Sequence, residues 1–151
     1  DQLGVERVDL DTVLKESDVM SLHIVLNKET YNMIDARELA MMKPTAVVIN
    51  TSRGGVINED ALADALKENR LSGAALDVFE QEPVDPENPL LFLGDKVLVS
   101  PHNIAMTPGG GIVPGIPWAT ESVLKSLRGE VPDNVYNKAV IPRWIERWGK
   151  Q

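Results

Sequence analysis

Four short runs in this chain are apolar at successive positions, and helical stripes separate them. "DVMSLHIVL", "AVVIN", "SGAALDVF" and "DKVLVS" read as strands over Val19–Val25, Ala46–Asn50, Ser72–Phe79 and Lys96–Ser100. A strand that is apolar on both faces has no side to offer water, so it belongs inside a sheet with layers above and below. The intervening segments carry helix signals. "LDTVLKES" follows an N-cap at Asp9 and sets Leu10, Val13 and Leu14 at i, i+3 and i+4. "DARELAMMK" pairs Asp35 with Glu38 in a capping-box spacing and stops before Pro44. From Asn58, the acidic Glu59 and Asp60 suit a helix N-terminus, and Ala61, Leu62, Ala65 and Leu66 form one stripe. Strands alternating with helices give an α/β class built on a parallel sheet.

Beyond Ser100 the texture changes. "TPGGGIVPGIP" is a glycine/proline loop, followed by a helix in "WATESVLKSLRG" with Pro117 in its first turn and Gly129 at its stop. Ala119, Val123 and Leu127 share a face, and Trp144 and Trp148, four apart in the tail, are expected to pack against something. Gly4–Val8 is expected to be a further strand. The domain division expected is 1–105, the C-terminal half of a nucleotide-binding sheet; 106–130, a loop and crossing helix; and 131–151, a tail.

Composition removes several function classes. A net charge of −8 without a lysine/arginine stripe disfavours nucleic-acid partners. No apolar run reaches membrane-spanning length, and the opening residues show no basic-then-apolar leader pattern, so no membrane partner and a cytoplasmic location are expected. With no cysteine there are no disulfides or thiolate metal sites, and two histidines, His23 and His102, are too few for a histidine-rich metal site.

Ligands of open parallel sheets bind outside the carboxyl ends of the strands. Arg53 follows the strand ending at Asn50. Asp77 closes the next one, with Glu80 and Glu82 in the loop after it, and His102 follows the last. One arginine, a group of acids and one histidine therefore leave the same sheet edge. A guanidinium is seldom buried unpaired, so Arg53 should face a cleft and an anion. A guanidinium holds a substrate carboxylate bidentately. A histidine exchanges the proton of an alcohol or carbonyl, and a carboxylate on its far nitrogen fixes its tautomer. The set suits interconversion of a 2-hydroxy acid and a 2-keto acid, with the hydride from a nicotinamide cofactor because no side chain supplies one. His23, inside a strand, reads as a packed or hydrogen-bonded residue. Gly109–Gly111 matches neither phosphate-cradle pattern, and Ser52 lacks the G-x-S-x-G elbow of serine hydrolases.

"NTSRGGVINEDALADAL", "SGAALDVFEQEP" and "SPHNIAMT", in that order and spacing, resemble the D-isomer-specific 2-hydroxyacid dehydrogenase family, the phosphoglycerate/hydroxypyruvate dehydrogenase-like enzymes among them. The resemblance runs from about Gly4 to Asn137. It implies half of a Rossmann-like doubly wound parallel sheet with flanking helices, plus a C-terminal helix and tail. It implies Arg53 as the substrate-carboxylate arginine, Glu82 as the histidine's carboxylate and His102 as the acid/base. Asp77 is implied at the nicotinamide end of NAD or NADP, with Ile24, Thr51, Ser52 and the catalytic Arg53 and His102 lining the cofactor. Two departures stand out. The family's G-x-G-x-x-G turn and substrate domain have no counterpart in these 151 residues, and "NIAMTPGGGIVPGIP" delays the helix after His102. The chain is therefore expected to be a fragment of such an enzyme, inactive alone, or else a non-catalytic dimerising interaction module derived from it. Homodimers are expected, two copies meeting near the uncovered edge of the 19–25 strand, the alternative being that the N-terminal segment folds back to cover it.

Overall fold

Asp9 starts the first helix as its side chain accepts from the Thr12 amide at 2.8 Å, capping α1 (Leu10–Glu16). The computed structural model describes residues 4–103 and 115–149, and the chain divides into two units, Asp1–Ile104 and Ala105–Gln151. In the first unit α1 leads to β1 (Val19–Leu22), α2 (Ala36–Met41), β2 (Val47–Asn50), α3 (Glu59–Lys67), β3 (Gly73–Leu76) and β4 (Val97–Val99). Both other expected N-caps hold. Asp35 and Glu38 close a complete capping box on α2, and Asn58 accepts from the Ala61 amide to open α3.

The four strands lie in the order β1-β2-β3-β4, all parallel, with Met20 beside Val48, Val48 beside Ala74 and Ala74 beside Val97. Each strand steps in the same direction across the sheet, so right-handed crossovers place α2 and α3 on one face; α1 packs beside α2. That face carries the core. Met20, Leu22, Val48, Ala74 and Leu76 meet Leu14, Leu39, Leu62 and Leu66, all buried. Burying each such leucine contributes roughly 1.5–3 kcal/mol. On the opposite face Val19 and Leu98 remain 59% and 73% exposed, so within this unit the helical layer covers one side only among the described residues.

The strands are shorter than the apolar runs suggest. β1 ends at Leu22, and the Asn27 and Thr30 side chains then organise a tight turn. His23 lies beyond that end and hydrogen-bonds through Nε2 to the Ser21 hydroxyl at 2.9 Å. The expected strand at Gly4–Val8 is absent: residues 4–9 are exposed and irregular. β1 pairs only with β2, and a strand with no neighbour gains no ladder hydrogen bonds to replace those it makes with water.

The second unit contains α4 (Ile116–Leu127), with proline in its first turn, and α5 (Ile141–Trp148), entered through a short 3₁₀ turn at Lys138–Val140. The chain leaves α4 past Arg128 through Gly129 at φ +75°, a left-handed exit that favours glycine. Trp144 is half-buried, whereas Trp148 is exposed with the Arg147 guanidinium 5.1 Å from its ring centre. The "TPGGGIVPG" loop falls largely outside the described residues. No described helix is long and apolar enough to cross a membrane.

Candidate active site

Because the strands are parallel and adjacent, Asn50, Leu76 and Val99 all end at the same sheet edge, and the loops behind them start there together. The Asp77 amide donates to the Asn50 carbonyl at 3.0 Å and the Ser100 amide to the Leu76 carbonyl at 2.9 Å, carrying the ladder one step past each strand.

Asn50 shapes the first loop. It is buried, its Oδ1 accepts from both the amide and the hydroxyl of Ser52, and its Nδ2 donates to the Arg53 carbonyl at 2.9 Å. This amide uses both ends on the turn that presents Arg53, whose guanidinium is exposed and donates to the Ser52 carbonyl at 2.7 Å. Gly54 then packs its backbone on the second loop. A β-carbon there would lie 1.9 Å from the Phe79 carbonyl oxygen, so no other residue fits without displacement. The arginine loop and the glutamate loop are thus in backbone contact.

The second loop runs from Asp77 through a cis Glu82–Pro83 bond. Its glutamate is tied down inside the loop, the Phe79 amide donating to Glu82 Oε1 at 3.1 Å. Glu80 is anchored from outside: its amide donates to Glu59 Oε1 and its carboxylate accepts from the Tyr31 hydroxyl, both at 2.6 Å. Glu59 is further engaged by Asn88 Nδ2 at 2.6 Å. The hydrogen bond to Glu80 pushes the Tyr31 phenol above its ordinary pKa.

His102 Nδ1 lies 2.7 Å from Glu82 Oε2. That hydrogen bond is the largest cause holding Glu82 below the ordinary carboxylate range; the Phe79 amide adds to it, and desolvation and Asp77 oppose it. An ionised carboxylate only accepts, so Nδ1 carries the hydrogen of this contact and the pair does not use Nε2. The pair walls a cleft of about 580 Å³, otherwise lined largely by apolar side chains including Phe79, Val84, Leu91 and Val99. Asp77 also lines this cleft yet is only 3% exposed; its Oδ1 accepts from the Ser100 hydroxyl and the Asn103 amide.

Of the residues expected from the sequence, the structure joins Glu82 to His102 directly and Asp77 to the same loop. Arg53 hangs from the neighbouring strand end and is not part of the cleft wall. Thr51 and Ser52 are half-buried beside it, and Ile24 packs against the edge of the core. No cluster of metal-ligating side chains occurs among the described residues. The parts played in the site by Asn50, Gly54, Tyr31, Glu59 and Ser100 escaped the sequence reading. Asn50 left a trace there, as a polar residue closing an apolar strand, whereas the long-range partners left none.

A profile of the D-isomer-specific 2-hydroxyacid dehydrogenase NAD-binding domain matches residues 1–103. The glyoxylate reductase of Korarchaeum cryptofilum is 45% identical over 140 residues, covering 93% of this chain and 42% of that protein. The crystal structure of D-lactate dehydrogenase with NAD+ from Lactobacillus jensenii superposes with a TM-score of 0.76 at 31% identity, over 87% of this chain and 43% of that one. An acyclic imino acid reductase in complex with NADPH and D-Arg gives a TM-score of 0.76 at 35% identity, over 87% and 41%. The chain thus spans about two-fifths of the length of these relatives.

Proposed function

Since this chain belongs to the D-isomer-specific 2-hydroxyacid dehydrogenase family, through the NAD-binding domain, we propose that it carries the proton-transfer and carboxylate-binding half of an NAD(P)-dependent active site. The reaction is interconversion of a D-2-hydroxy acid and its 2-keto acid. The observation that carries the reading is the 2.7 Å contact of His102 Nδ1 with a Glu82 already fixed by the Phe79 amide. His102 gives a proton from Nε2 to the carbonyl oxygen in reduction and takes it back in oxidation. Glu82 holds the ring in one tautomer and stabilises its charged form. Arg53, on the adjoining loop, holds the substrate carboxylate with two parallel N–H donors.

The residues suit the nicotinamide end of the cofactor. Ile24 offers an apolar wall, Thr51 a hydroxyl and Asp77 a carboxylate at neighbouring strand ends. When bound, the nicotinamide supplies the hydride. The backbone N–H cradle that a G-x-G-x-x-G turn offers a pyrophosphate is not encoded in these 151 residues. This chain alone is accordingly expected to turn over hydroxypyruvate with NADH feebly or not at all.

The test joins this segment to a glycine-rich half-domain and substrate domain from a relative. His102→Ala in that chimera should lower kcat by roughly 10²–10⁴-fold, whereas Arg53→Ala should act mainly on KM for the acid. Negligible effects of both would overturn the assignment. A second reading, self-association, is favoured by the outer edge of β1, which pairs with no further strand among the described residues. Sedimentation should then show a dimer that Ser21→Lys weakens; a monomer at high micromolar concentration would refute it.

A further inference from the structure

His102 has φ +51°, in the left-handed region that costs a non-glycine residue about 1–2 kcal/mol. Something must hold it there, and the bonds on either side show what does. The Ser100 hydroxyl, two residues before, donates to Asp77 Oδ1 at 2.6 Å, and the Asn103 amide, one residue after, donates to the same oxygen at 3.0 Å. Pro101 and His102 are thereby stretched over a single carboxylate oxygen, which is buried and cannot wander.

We propose that Ser100 is a positioning residue for His102: its hydroxyl completes a latch on Asp77 that locks residue 102 in the left-handed backbone state from which Nδ1 meets Glu82. The role in turnover rests on the acid/base reading of His102; the geometric role stands on the hydrogen bonds alone. The segment after β3 does both halves of the task. Asp77 fixes the backbone of the histidine loop, and Glu82, five residues on, fixes the ring. With the latch open, the loop is free to relax into ordinary negative φ, which swings the imidazole away from Glu82 while leaving both residues intact. The depressed pKa of Glu82, which owes most to the His102 contact, is then relieved.

The test is made on this chain, whose two histidines are readily told apart by a His23→Gln control. Nitrogen-15 shifts of the His102 ring, read at a pH where the ring is uncharged, report which nitrogen bears the hydrogen. The wild type should be held as the Nδ1–H form. Ser100→Ala, still folded by its amide spectrum, should lose that signature for a mixture with Nε2–H, as should Glu82→Gln. Ser100→Thr, which keeps the hydroxyl, should restore it. A folded Ser100→Ala that retains the Nδ1–H form overturns the proposal. Should that variant fail to fold, the wild-type Asn103 amide decides. Exchange as slow as in β4 supports the latch, and free exchange refutes it. Neither readout uses turnover, so a failed latch and a failed acid/base assignment are distinguishable.

Discussion

Replacing Gly54 by alanine tests the contact that brings the arginine loop and the glutamate loop together. The added β-carbon would start 1.9 Å from the Phe79 carbonyl oxygen, 2.0 Å from its carbon and 2.4 Å from the Glu80 nitrogen, all backbone atoms. A tolerable carbon–oxygen contact is about 3.3 Å, so the loops must part by about 1.4 Å. No side-chain rotation relieves this. Overpacking of this kind costs about 1–3 kcal/mol, and a domain of roughly 100 residues loses about 4–8 °C per kcal/mol. Gly54→Ala should therefore melt on the order of 5–20 °C below wild type by circular dichroism. Gly94→Ala is the control, with φ +56° and nothing within 4 Å of the new carbon. It bears only the left-handed backbone cost, about 1–2 kcal/mol. The melts alone could overlap, so the sharper readout is local. Gly54→Ala should shift the Glu82 and His102 resonances, because the loop pressed apart is the one that holds them, whereas Gly94→Ala should leave them in place. A Gly54→Ala protein melting within about 2 °C of wild type, with those resonances unmoved, would refute the close approach.

Glu82, held below its ordinary value of 4.5, contributes stability that is present above that value and is lost as pH falls through the lower folded one; urea midpoints measured down the acid limb should fall less steeply for Glu82→Gln than for wild type. Tyr31 is raised by Glu80, so its hydrogen bond holds below the ordinary tyrosine range and is lost as pH climbs through the folded value; ultraviolet titration should show the Tyr31 step move to lower pH in Glu80→Gln, and an unmoved step would count against the contact. Asn50→Asp keeps an acceptor for Ser52 but removes the donor to the Arg53 carbonyl and buries a charge; it should cost about 1–3 kcal/mol in urea unfolding, and an unchanged midpoint would count against Asn50 as the organiser of the arginine turn.

What the sequence disclosed and what it hid divide along a physical line. The three helix starts were legible because capping is local: Asp9, Asp35 and Asn58 bond amides at most three residues away, and the spacing is printed in the chain. The order of strand ends was legible too, since parallel strands joined by helices put every following loop at one edge. Strand lengths were misjudged because apolarity marks burial rather than pairing. Ile24 and Phe79 are apolar and packed against the core, yet lie past the last ladder bonds of β1 and β3. The groups around the Glu82–His102 pair were invisible for another reason. Tyr31 to Glu80 spans 49 residues, Glu59 to Glu80 spans 21 and Ser100 to Asp77 spans 23, with no periodicity or motif linking the members. Their meeting depends on neighbouring parallel strands delivering their loops side by side, a consequence of the tertiary fold. A motif can therefore name the histidine and its carboxylate, while the hydroxyl and backbone bonds that surround their 2.7 Å contact emerge only once the sheet is assembled.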